Sequence, residues 1–180
     1  MSLAGPINQT PNRMVFTNLY DGEELLAQFN PTQFTESLGV NWTTLQIPGL
    51  SHKPLQFINT DNLKLRFELY FQARSPDELL DIQRARLLLI AWCYPRNVSN
   101  DIIGGAAPRL LVTWPGMLSL EAVLRNVDIT HQRFNKLGQS VHFTANVQLE
   151  EVSEALLTFD TVAEDDAARF GSPLDLEGQE

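Results

Sequence analysis

Residues 62–73 read Asn-Leu-Lys-Leu-Arg-Phe-Glu-Leu-Tyr-Phe-Gln-Ala. Leu63, Leu65, Phe67, Leu69 and Phe71 fall on one face of an extended chain, and Lys64, Arg66, Glu68 and Tyr70 on the other. Successive side chains of a strand point to opposite sides, so this alternation predicts a strand with one face buried and one in water. Arg109–Trp114, Leu118–Asp128 and Ser140–Glu150 repeat the pattern in shorter form. In the last of them Val141, Phe143, Ala145, Val147 and Leu149 face in, while His142, Thr144, Asn146, Gln148 and Glu150 face out. Met14–Leu19 and Glu24–Phe29 flank Tyr20-Asp21-Gly22, and Asp-Gly between two apolar runs is a hairpin signal. The chain is therefore mainly β, built from antiparallel sheet with one buried face.

One helix interrupts the strands. Ser75 suits an N-cap and Pro76 the first helical position, and Asp77 and Glu78 complement the positive end of the helix dipole. Apolar residues continue at helical spacing until Pro95, which predicts a helix over 76–91. Its second half, Leu87 to Trp92, is apolar all round, so either the sheet or a neighbouring subunit covers it. Residues 95–108, rich in Asn, Gly and Pro, form a long loop of the kind that makes contacts.

Charge divides the chain. Of the total −9, residues 160–180 carry −6, leaving −3 for residues 1–159. With little apolar periodicity, 160–180 reads as a flexible acidic tail. The expected organisation is an N-terminal extension (1–11), a β domain (12–159) and this tail. An acidic chain lacks the clustered Lys and Arg that bind phosphate backbones, and the same sign disfavours anionic membranes. The start MSLAGPINQTPNR lacks the order of a secretory signal, so synthesis and assembly in a cytoplasm are expected.

The search for reaction chemistry finds little. His52, His131 and His142 are scattered, without the i, i+4 spacing of a helical zinc site. No nucleophile elbow, phosphate loop or dinucleotide fingerprint occurs, and Gly104-Gly105 is an isolated pair. The single cysteine, Cys93 in the run LLLIAWCYP, reads as a small buried hydrophobe. No catalytic residue, cofactor or metal is expected.

Residues 30–56 stand out instead. Phe29-Asn30-Pro31-Thr32-Gln33-Phe34 breaks the second strand, because proline has no N–H and forces its predecessor to be extended. Beyond it the chain reads as an irregular arm carrying Phe34, Leu38, Val40, Trp42, Leu45, Ile47 and Leu50, with a turn at Ile47-Pro48-Gly49-Leu50. A segment this apolar packs on its own domain or on a partner.

The ordered set F-N-P-T-x-F, N-W, I-P-G-L, L-x-F, a long strand ending L-Y-F, a helix and P-R-L-L-V-T-W-P-G, over about residues 12–152, resembles the contractile injection system tube protein family. That resemblance implies a tail-tube-like fold, two packed antiparallel sheets closing toward a barrel with one flanking helix. It implies a non-enzymatic subunit of a homo-oligomeric ring, hexameric, joining a spike or hub to the tail tube of a phage or phage-like particle. Other tail and baseplate proteins would be its partners, and any DNA would pass through the lumen without sequence-specific binding. The LysM module that succeeds the domain in many members is not matched after Glu151. On this reading Phe29, Asn30, Pro31 and Phe34 anchor the arm, and Trp42, Ile47, Pro48 and Leu50 make its subunit contacts. The rival from another class is a monomeric β-sandwich that binds a small ligand or carbohydrate, with Trp42 and Trp114 as stacking platforms. An unrecognised enzyme is a third reading, for which the residues offer no converging polar set.

Overall fold

β6 (Lys64–Gln72) keeps the alternation of its sequence. Leu65, Phe67, Leu69 and Phe71 are buried, while Lys64 and Arg66 are exposed. It is one of nine strands in the computed structural model, which describes residues 12–95 and 105–152. Residues 1–11, most of the expected 95–108 loop and the whole acidic tail lie outside the described residues.

The other elements are β1 (Val15–Asn18), β2 (Glu24–Leu26), β3 (Phe34–Ser37), β4 (Val40–Thr44), β5 (Leu55–Thr60), α1 (Pro76–Ala91), β7 (Arg109–Trp114), β8 (Leu118–Phe134) and β9 (Ser140–Glu151). Seven strands form one antiparallel sheet in the order β2-β1-β7-β8-β9-β6-β3, and β4 and β5 form a second, two-stranded sheet. β1 and β2 make the expected hairpin. The turn closes at Gly22, whose positive φ of 75° suits a residue without a Cβ. β8 runs six residues beyond the expected Asp128, because Ile129 and His131 continue half-buried along its pairing with β9. Register shifts beside Asn126 and Arg133 bend this long pair.

The large sheet curls until its two ends meet. Phe16 of β1 lies 6.0 Å from Phe67 of β6, ring centre to ring centre, and Phe34 of β3 lies 6.1 Å from Trp114 of β7. The core between them holds Met14, Phe16, Leu69, Leu110, Val112 and Phe143, each almost fully buried. Just past β2, the Gln28 side chain spans the seam. Its Nε2 donates to the carbonyl oxygen of Gln72 (2.7 Å), and its Oε1 accepts from the Gln72 N–H (2.6 Å). One amide side chain thus replaces a rung of backbone ladder where the sheet closes toward a barrel. Removing it leaves a half-buried backbone N–H and C=O without their partner, which costs about 1–3 kcal/mol. Gln28→Ala is therefore expected to lower the urea midpoint by that stability loss with an unchanged m-value.

α1 has the expected bounds. The Ser75 hydroxyl accepts from the Glu78 N–H (3.2 Å), Pro76 opens the helix, and the Glu78 carboxylate accepts from the Arg74 N–H (2.6 Å). Ile82, Ala85, Leu88, Leu89 and Trp92 are buried in the chain's own core, whereas Leu80 and Leu87 remain exposed. Cys93 corrects the sequence reading. Trp92 takes the interior position, and the next residue rotates outward to leave Cys93 exposed.

Candidate functional site

The arm is more regular than its sequence indicates. Residues 30–56 do not form an irregular excursion: Phe34–Ser37 is edge strand β3, paired with β6 in the register Phe34↔Phe67 to Ser37↔Lys64. Val40–Thr44 then pairs with Leu55–Thr60, with a register shift between Asn41 and Trp42. β3–β4 and β5–β6 are therefore the two legs of one long hairpin. Its lower half belongs to the main sheet and its upper half projects as a ribbon. The shift breaks strict alternation in a short Thr- and Asn-containing stretch, which hid both strands.

A polar clamp fixes the root of the ribbon. The Asp61 N–H donates to the carbonyl oxygen of Gly39 (2.8 Å), and Asn41 Nδ2 donates to Asp61 Oδ1 (2.8 Å) and Asn59 Oδ1 (3.0 Å). A Cβ at Gly39 would stand 2.6 Å from Asp61 Oδ2, so a larger residue there would push the Asp61 carboxylate out of the clamp. At the tip, the Leu50 N–H donates to Ile47 O (3.3 Å) across Pro48 and Gly49, and Gly49 has φ 89°. Proline before a positive-φ glycine is the chemistry of a type II turn.

Between root and tip the ribbon buries almost nothing. Every residue of β4 and β5 is exposed, including Val40, Trp42 (56%), Leu55 (66%), Phe57 (51%) and Ile58. Trp42 stands opposite Phe57, their rings edge to face at 5.5 Å, and Thr44 stands opposite Leu55. These residues share one face, and Leu45 follows them, exposed, with its N–H bonded to Pro54 O (2.9 Å). A two-stranded ribbon is marginal in water by itself, and this one leaves its apolar face uncovered by its own domain.

The eight candidate residues divide by position. The Asn30 Oδ1 accepts from the Met14 N–H (3.0 Å) and its Nδ2 donates to Asn12 O (2.7 Å). Pro31 is buried, and the Phe34 ring stacks 5.7 Å from Phe67, while Phe29 stays exposed beside them. These four sit at the turn where the chain leaves β2 for the arm. Trp42, Ile47, Pro48 and Leu50 are all exposed on the ribbon. Leu55, Phe57 and Ile58 of β5 are exposed beside them, Leu55 within the expected arm of 30–56 and the other two just beyond it. Asn30→Ala is expected to cost about 1–3 kcal/mol through the orphaned Met14 N–H and to leave the assembled mass unchanged. Chemical denaturation and light scattering on the same samples check both halves.

No reaction centre emerges among the described residues. No group of three or more His, Cys, Asp or Glu side chains there is placed to hold a metal ion. His131 Nδ1 pairs with the Ser140 hydroxyl (2.7 Å), and His52 is exposed near the ribbon tip. The Tyr70 hydroxyl donates to Glu68 Oε2 (2.7 Å), a bond that raises the phenol above its usual pKa, opposite to what an activated phenolate needs. Trp114 is half-buried with its ring against Phe34 and does not stand free as a stacking platform.

The model of the contractile injection system tube protein family matches residues 15–159. The chain belongs to that family. The resemblance carried by the ordered motifs of residues 12–152 thus holds over nearly the same stretch, and membership gives this tube-family chain a structural role in a contractile injection system. Among solved structures, it is similar to a chain of the anti-feeding prophage (AFP) baseplate, solved by cryo-EM with six-fold symmetry imposed. That chain is 15% identical, and the match covers 85% of this chain and 95% of that one with a TM-score of 0.37, a likeness that carries no argument. No curated protein matches.

Proposed function

We propose that this tube-family chain acts without catalysis, as a ring-forming subunit in the tail or baseplate of a phage or phage-like contractile particle, where the ring joins hub or spike to tail tube. The observation that carries the reading is the projecting β4–β5 ribbon, apolar on the Trp42–Phe57 face and unsupported by its own domain. A ring closes when one surface of each subunit meets a different surface of the next, and a projecting ribbon laid on a neighbour's sheet is such a contact. Trp42, Ile47 and Leu50, with Leu55 and Phe57, are its contact residues. Pro48 shapes the tip, and Phe29, Asn30, Pro31 and Phe34 hold the arm's root. The partners are further copies of this chain, six in the closed ring, together with other tail and baseplate proteins. The acidic balance keeps a lumen from retaining DNA that passes through it.

Light scattering of the purified full chain over a concentration series tests this. A discrete ring-sized mass above a threshold concentration is the expected result. A monomer at every concentration, with tryptophan fluorescence that responds to an added carbohydrate, overturns it in favour of a binding module.

A further inference from the structure

On a chain of net charge −9, one groove gathers cations. It has a volume of about 360 Å³ and lies on the outer face of β3, β6, β9 and β8, where Lys64, Arg66 and Arg125 converge beside Thr35 and Ser37. Its single carboxylate, Glu150, is already engaged. Glu150 Oε2 pairs with Arg125 Nε (3.1 Å) and Oε1 accepts from Asn62 Nδ2 (3.4 Å). Lys64 has only Asp61, at 4.0 Å, and Arg66 has no hydrogen bond or ion pair among the described residues. Arg66 stands between Thr35 on one side and Gln148 on the other, with its charge unanswered.

The described chain ends close to this groove. The Glu151 N–H bonds Leu63 O (2.9 Å) and the Val152 N–H bonds Glu121 O (3.0 Å), so the backbone leaves β9 two residues past Glu150. Eight residues later begins the acidic run 160–180, which contains Glu164-Asp165-Asp166. The twelve residues from Val152 to Glu164 can span up to ~40 Å. The groove begins about 7 Å from the exit, given ~3.3 Å per strand residue.

We propose that the acidic C-terminal run docks in this groove of its own chain, with Glu164–Asp166 on Arg66 and Lys64 and with the Thr35 and Ser37 hydroxyls as further donors. Docking is independent of ring formation, since it depends on the cation cluster, its unpaired arginine and the point where the chain leaves β9. Docking turns the face at the root of the arm from basic to acidic. Because the pairs are exposed, the contact is weak and salt-sensitive.

The test uses the full chain carrying Cys93→Ser, Gln148→Cys and Ala167→Cys, and monitors disulfide formation in oxidised glutathione on denaturing gels. The single-chain crosslink is expected to form about ten-fold faster than in the same protein bearing Arg66→Glu, a modest gain in effective concentration. Glu164→Gln with Asp166→Gln should slow it equally. The advantage should vanish between about 0.01 M and 1 M salt, as the Debye length falls from ~30 to ~3 Å. Equal rates in all three proteins, or crosslinks found only between chains, overturn the proposal.

Discussion

Changing Trp42 and Leu50 together to serine is expected to reduce the assembled protein to a folded monomer. Both side chains are about half exposed in the single chain, at 56% and 48%, so their loss takes little from the domain's own core. Surface changes away from special features move stability by about 0.5 kcal/mol or less, and the urea midpoint should hold. Against a neighbour, the same two side chains lose most of their remaining contact with water. Fully burying a large apolar side chain contributes about 1.5–3 kcal/mol, so for two side chains already about half buried each contact should weaken by roughly 1.5–3 kcal/mol, or ~10–10²-fold in affinity. In a closed ring every contact carries the loss, which moves assembly out of the micromolar range. Light scattering reads the mass and circular dichroism the fold. A variant that retains the ring-sized mass excludes the ribbon face as the contact, and one that unfolds would assign Trp42 to the domain's own stability.

Phe67→Ala should do the opposite, removing stability before assembly becomes a question. Phe67 is 3% exposed, and its ring lies between Phe16 of β1 at 6.0 Å and Phe34 of β3 at 5.7 Å. It therefore ties the β6–β3 end of the sheet to the β1 end. Truncating a buried phenylalanine costs about 3–5 kcal/mol through lost transfer energy and the cavity left behind. For a domain with a total of ~5–15 kcal/mol that is about a fifth or more of the stability. Urea denaturation should show a large drop in midpoint, and Phe67→Leu, which keeps most of the volume, should recover much of it. A loss below ~1 kcal/mol would mean that the two ends of the sheet close without this ring.

The contrast between these two sites tracks how much of each is readable in the chain. Phe67 announces itself, because five alternating apolar residues around it specify a buried strand face whatever the fold. α1 is equally readable, since Ser75, Pro76 and the acidic residues after them act within one turn of their own backbone. Trp42 can be seen to be apolar and out of place, but not to lie on a strand. Its alternation is interrupted by a register shift, and its partner Phe57 is fifteen positions away. Pairing between segments is a non-local choice, and short segments carry too little pattern to reveal it. Cys93 shows the converse: an apolar neighbourhood in sequence need not be an interior in space.

The residues alone thus determined the local elements: the strand faces of β6, β7 and β9, the β1–β2 hairpin, the bounds of α1, the glycine-dependent turns and, through their ordered motifs, the family. Each arises from interactions among near neighbours, or from a period that one face of one element imposes. The tertiary structure decided what joins distant positions. It curls the sheet until Phe16 meets Phe67, sets the Gln28 amide across the seam to Gln72, extends β8 to Phe134 and lifts β4 and β5 off the domain as a ribbon. Those features depend on which surfaces remain after the core is filled. Ribbon side chains stay exposed because the interior is already occupied by others, a balance among all the residues at once that no single segment encodes.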